Sequence, residues 1–341
     1  MKCSTALTAS IVAVISLGAG QASGAGPTPV VCGQVITQSI HVGNDLLNCP
    51  ADGLIIGADN IKVDLGNHVI DGDGINAPTD DGIDNTGGFD NVKLTHGTVQ
   101  QFAQGVRLVG ATENKVEHLT VLQTTRGIVL QTLSNANKIS HNKVSGNFDG
   151  IHLTDSDTNK IDHNDVFGNT ASAIVLITGS DNNKVDHNRA HDNPSWGITQ
   201  DASNGNTYKH NKVYNNNIAG IEPFNSTNLR FEHNDVSHNR IGIEFFNTDS
   251  SFLTKNKIKS NTLDGIHTFI GSTGNMLVKN HSDKNGDDGI DVADAGNTIT
   301  KNHARKNTDL GIVAVPGNVD GGGNKAHHNG NPAQCLGVTC H

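Results

Sequence analysis

Apolar and polar positions along this chain recur with one long period. Gly or Ala followed by Ile or Val stands at Gly82, Gly105, Gly127, Gly150, Ala173, Gly197, Gly220, Gly242, Gly265, Gly289 and Gly311, in steps of 22 to 24 residues. Between these pairs a second motif repeats. Asn137-Lys-Ile-Ser-His-Asn-Lys-Val-Ser-Gly-Asn147 aligns with Asn159-Lys-Ile-Asp-His-Asn-Asp-Val-Phe-Gly-Asn169, and then with Asn183-Lys-Val-Asp-His-Asn-Arg-Ala-His-Asp-Asn193. Apolar residues alternate with polar ones over three to five positions, as in short strands. Ile139, Val144, Ile151 and Leu153 are expected inside, and Ser140, Lys143 and His152 outside. No stretch has the 3.6-residue rhythm of a helix.

Self-similarity at this period predicts a solenoid. Each coil should hold three short strands. Stacking coils about 4.8 Å apart pairs each strand with its copy, in parallel. The predicted class is all-β: a right-handed parallel β-helix of about 22–24 residues per coil, capped at both ends, the hand following the usual crossover rule. Asparagine columns mark the turns, one from Asn142 to Asn302 and another from Asn147 to Asn307. Asparagine tolerates left-handed backbone angles, and stacked amides can bond from coil to coil. A leucine-rich repeat lacks its signature here, and a hexapeptide helix lacks its rhythm.

Four segments follow. Residues 1–26 read as a secretory signal peptide, with Lys2 before a short apolar run. Residues 27–75 form an N-terminal cap and first coils, 76–316 the repeats, and 317–341 a closing coil and tail. Apart from Cys3, the cysteines sit at the two ends. The ends of a long solenoid cannot meet, so proximity favours Cys32–Cys49 and Cys335–Cys340, in an oxidising compartment. A secreted or periplasmic monomer is expected. The apolar stretch is too short to span a membrane. The net charge of -10 argues against nucleic acid, and makes a polyanion a poor partner unless cations offset it.

The motif N-x-I-x-x-N-x-V-x-x-N-x-x-G-I resembles the right-handed parallel β-helix repeats of the pectate-lyase-like superfamily, and most closely its NosD-type proteins, over residues 50–315. That superfamily contains lyases, hydrolases, epimerases and non-catalytic members. NosD-type proteins are associated with copper delivery. Asn247-Thr-Asp249 and Asp287-Asp288 are similar to parts of the polygalacturonase pattern, whose Gly-His-Gly and Arg-Ile-Lys segments are missing. The Asp-Pro-His motif of mannuronan epimerases is missing too.

Chemistry is sought in the columns. Two residues after each repeat glycine, Glu222, Glu244, His267 and Asp291 follow one another on neighbouring coils. Strand spacing puts Glu222 and Glu244 about 5 Å apart, near the carboxylate separation of retaining glycoside hydrolysis. Asp264 and Asp288 precede the glycine on two of these coils. Phe224, Phe246 and Phe269 form a stripe beside them, a platform for sugar rings. The predicted function is therefore to bind a polysaccharide along this outer face, and to cleave or modify it if the column is catalytic. The alternative for this column is the ordinary polar face of a solenoid.

A histidine column, His118, His141, His163, His187, His210 and His233, gives way to Lys255, Lys279 and Lys301. It offers His163 and His187 as copper ligands in a non-catalytic, NosD-like scaffold. Its alternative is a bend at which rings merely stack. Calcium is considered at Asp80-Asp81-Gly-Ile-Asp84 and Asp287-Asp288-Gly-Ile-Asp291.

Overall fold

The computed structural model describes residues 26–75 and 79–341. The segment read as a signal peptide therefore lies outside the described residues, save Gly26. The described residues contain no helix. Most coils carry three strands, for example Lys138–Ser140, Lys143–Ser145 and Asp149–Thr154, while at Lys93–Gln100 and Lys115–Leu122 the first two run on as one. Each pairs in parallel with its copy in the next coil, so that Ile139 registers with Ile161, Val144 with Val166 and Ile151 with Ile174. The strands that follow the repeat glycines line up in one sheet of fourteen, from Gln34–Ile36 to Cys335–Leu336. This is called the first sheet below.

The core is a thin column of stacked apolar side chains. Ile128, Ile151, Ile174, Ile198 and Ile221 are all buried along the first sheet, as are Ile139, Ile161, Val144 and Val166 on the other two faces. Burying each such side chain contributes about 1.5–3 kcal/mol. Gln200, Thr268 and Ser282 bring polar groups into this core. The Gln200 side-chain oxygen accepts from the Tyr208 hydroxyl and the Asn206 amide, and its amide donates to the Ser203 carbonyl at 2.7 Å.

Three asparagine ladders fix the vertical register. At Asn164, the side-chain oxygen accepts from the backbone N–H and the side-chain amide of Asn142, both at 3.0 Å. Its own amide donates to the Ile139 carbonyl at 2.8 Å. The Asn147 column is built alike and ends where the Gln334 side chain accepts from Asn329. A third ladder, through Asn114, Asn137, Asn159, Asn183 and Asn206, was not singled out in the sequence.

The repeat glycines answer a steric need. A Cβ on Gly150 would collide with a Val166 methyl and lie 2.6 Å from the Ala173 carbonyl oxygen. The exception confirms the rule: at Ala173, the residue that replaces Val166 in the next coil is Ala190. The histidine column occupies a bend in the left-handed region. His118, His141, His163, His187, His210 and His233 have φ of 52–58°, and so do Lys255, Lys279 and Lys301. Neighbouring rings stack 4.6–5.3 Å apart, and His96 extends the stack by one coil. Disulfides join Cys32 to Cys49 in the first coil and Cys335 to Cys340 in the last.

Gly150→Ala is expected to cost about 2 kcal/mol of stability through overpacking. Adding Val166→Ala should make the pair less costly than the sum of the two changes, because it recreates Ala173 over Ala190. A double-mutant cycle by chemical denaturation checks this. Strict additivity would contradict the contact.

Candidate functional site

Two columns on the outer face of the first sheet converge to make a groove. One is the column two residues after the repeat glycine. The other lies one residue before it: Asp81, Gln104, Arg126, Asp149, Ser172, Trp196, Ala219, Ile241, Asp264 and Asp288. Their side chains meet repeatedly. The Trp196 indole N–H donates to Glu222, the His152 ring pairs with Asp149 at 3.2 Å, and Arg107 Nη1 lies 3.5 Å from Asp81. Side chains of each column thus cover those of the other. Several positions expected to face water are in fact buried, among them Val129, His152, Val175, Thr199 and Glu222.

Glu222 and Glu244 follow residues in direct register, Ile221 and Ile243, on adjacent strands. Burial first, and then the charge of Glu244, push the Glu222 carboxyl up to about 7, against the indole hydrogen bond. His267 bridges two acids: its Nδ1 lies 3.2 Å from Glu244 Oε1 and its Nε2 3.6 Å from Asp291 Oδ2. Burial opposes its charge. The hydrogen bond to Glu244, with Asp291 and Asp264 nearby, nonetheless holds its pKa above the usual histidine value. Burial also raises Asp264 to about 6 and Asp288 to about 7, and neighbouring carboxylates add to both. Asp291 is raised chiefly by burial.

The phenylalanines stand free beside these acids. Phe246 is 38% exposed and Phe269 37%, their rings stacked 5.4 Å apart. Phe224 lies 5.8 Å from Phe246 and meets Trp196 edge-on at 6.1 Å. Upstream, Phe148, Val175, Trp196 and Phe224 line an open groove of about 510 Å³. Trp196 was missed by the sequence reading. Its place one residue before a repeat glycine, in a chain with one tryptophan, was the available signal.

The metal candidates regroup. Asp264, Asp287 and Asp288 bring ligand atoms within 4.8 Å of one another, so the downstream acidic motif converges through Asp264 rather than Asp291. In the upstream motif Asp81 is buried against Arg107, and no converging trio forms there among the described residues. In the histidine column the converging trio is Asp186, His187 and His210. Asp186 Oδ1 takes both rings, at 2.9 and 3.2 Å. His163 does not join it. Its Nδ1 pairs with Asp162 at 3.1 Å, and its ring lies parallel to His187 at 4.9 Å.

Comparison with known proteins now adds the hand of the coil. Residues 52–228 match the family model described as periplasmic copper-binding protein (NosD), and residues 196–339 match the right handed beta helix region. Several solved structures share the fold. The A-module of Azotobacter vinelandii mannuronan C-5 epimerase AlgE6 aligns over 94% of this chain and 92% of its own, at 12% identity and a TM-score of 0.56. The AlgE4 A-module from the same organism aligns over 91% of each chain, at 13% identity and 0.58. The periplasmic alginate epimerase AlgG aligns over 90% of this chain and 76% of its own, at 13% and 0.51. At such identities these likenesses show the fold alone. No curated protein sequence matches the chain significantly.

The raised acids give stability a definite pH dependence. Glu222, Asp264 and Asp288 hold more protons folded than unfolded, so they favour the folded state at low pH and lose that effect as pH rises toward about 7. His267, also raised, acts in the same direction. Tm should therefore fall between pH 5 and pH 8, and Glu222→Gln should flatten the slope. A wild-type Tm that rises across this window would contradict the shifts.

Proposed function

The chain belongs to the NosD family, and on that premise we propose that it works outside the cytoplasm as a polysaccharide-binding β-helix whose groove also carries an acid–base centre. Two disulfides suit an oxidising compartment, and among the described residues no helix is long and apolar enough to cross a membrane. The observation that carries the reading is the ring stripe of half-buried Phe224 and exposed Phe246 and Phe269 beside the raised Glu222 carboxyl. Exposed stacked phenylalanines are unfavourable in water, and the apolar face of a sugar ring covers them well. Three of the solved structures that share this fold carry epimerase names for mannuronan and alginate, which supports a glycan rather than naming one.

The chemistry follows from the pair. Glu222, protonated near neutrality, gives its proton to a departing glycosidic oxygen. Glu244 lies about 5 Å away by strand spacing and faces the same bond, with His267 holding it in place. Asp291 holds the far side of the imidazole. Asp264, Asp287 and Asp288 supply the hard oxygen donors that Ca²⁺ prefers.

A glycan array joined to reducing-sugar and unsaturated-uronate assays tests this. Glu244→Gln should abolish turnover while the fold survives. Wild-type activity should decline as pH rises through about 7, because Glu222 then loses the proton it donates. Unchanged turnover in Glu244→Gln would remove the pair.

A second reading is favoured by the family description and by the Asp186, His187 and His210 trio. In it the chain binds copper at this bend and acts as a scaffold. Titration with Cu²⁺ should then show one site per chain that is lost in His187→Ala/His210→Ala. Uptake that ignores both histidines would end this reading.

A further inference from the structure

The same groove carries a second group of polar residues several coils upstream, and the proposed chemistry leaves it unused. It comprises Asp81, Asp84, Gln104, Arg107, Arg126, Asp149 and His152, all in the two converging columns. Some are mutually satisfied. Asp149 holds the His152 ring, and Arg107 reaches Asp81 and, at 3.2 Å, Gln131. Others are not. Asp81 is 2% exposed, and its Oδ1 has no partner. Gln104 Oε1 and Arg126 Nε are likewise buried and unpartnered among the described residues. Gln104 registers with both Asp81 and Arg126, so all three sit side by side on consecutive strands. Unmet buried hydrogen-bonding groups are costly and few in native proteins. Here two acceptors and a donor lie together just beneath the surface, on neighbouring strands.

That donor set decides the ligand. Two acceptors beside a guanidinium match the hydroxyls of a sugar ring, each of which donates and accepts. An anion fits less well. Asp81 and Asp84 flank Arg107, and Asp149 registers with Arg126. At the other end of the groove the side chains are Glu222, Glu244, Asp264, Asp288 and Asp291, which offer a polyanion carboxyl groups in place of cations. The two ends are joined by the apolar stretch Val175, Trp196 and Phe224. From the Arg126 coil to the Glu244 coil there are five strand steps, a span of about 24 Å.

We infer that the groove takes an uncharged linear polysaccharide, and that Asp81, Gln104 and Arg126 form a distal subsite for its hydroxyls, filled only by chains long enough to reach from the Glu222–Glu244 centre. This rests on the proposed function. A short oligosaccharide engages the aromatic and acidic end alone. A longer one gains the distal contacts without a second loss of overall freedom, and its affinity rises steeply.

Calorimetric titration of the full chain tests the inference, using neutral cello-, xylo- and manno-oligosaccharides of two to eight units and mannuronate and galacturonate oligomers of the same lengths. At least one neutral ladder should bind at least tenfold tighter at eight units than at four. That ratio should change less than twofold when salt is raised to 0.5 M. It should collapse toward one in Gln104→Ala and in Arg126→Gln. Retained tetramer binding would show that the variants are folded. Preference for the uronate ladders with steep salt dependence overturns the inference, as does a length gain that survives both variants. Binding that is equal at all lengths overturns this inference only. Failure of every ladder overturns the proposed function with it.

Discussion

Vertical register is the constraint on which everything else depends, and buried asparagine amides hold it. Each Asn of the Asn142 and Asn147 columns accepts from the coil before it and donates onward to the coil after it. A slip by one residue would strand these amides in an apolar core, at a cost of a few kcal/mol for each. The sequence reflects this rigidity. Asn137, Asn142 and Asn147 are spaced five and five, as are Asn159, Asn164 and Asn169, and Asn297, Asn302 and Asn307. The steps that vary lie on either side of the first-sheet strand. Asn147 precedes Gly150 by three residues, for instance, while Asn169 precedes Ala173 by four. Two faces are thereby held fixed, and length variation is confined to the rims of the groove.

With the register set, the groove follows from strand geometry. Residues before and after a repeat glycine stand on one face, and the stacking of coils turns each position into a wall. A short side chain in one column lets a long one from the other lie across it. At Ala219 the indole of Trp196 reaches over to Glu222. Such mutual cover is what desolvates Glu222, Asp264 and Asp288 and lifts their pKa values. The same acids on an open solenoid face would be ordinary, fully charged surface groups.

The sequence showed the coil, the inward isoleucines, the phenylalanine stripe and the bend at the histidines, because each depends on a residue type recurring at one period. It showed less where function depends on contact between columns. Trp196 and Arg126 belong to a column where only aspartate recurs, so periodicity was silent about them. The pairing of His187 with His210 instead of His163 turns on which aspartate each ring meets, and that is settled by ring tilt at a stacked bend. The burial of Glu222 was hidden for the same reason. Alternation predicts an outward side chain and says nothing of what lies over it.

Hydrogen exchange measured with and without a glycan selected on the array bears most directly on the claim that the first-sheet groove is the working surface. Protection is expected in peptides covering 196–201, 219–227, 241–249 and 264–268, with no change along the histidine bend from His118 to His233. Protection confined to that bend, or spread evenly over all three faces, would contradict it.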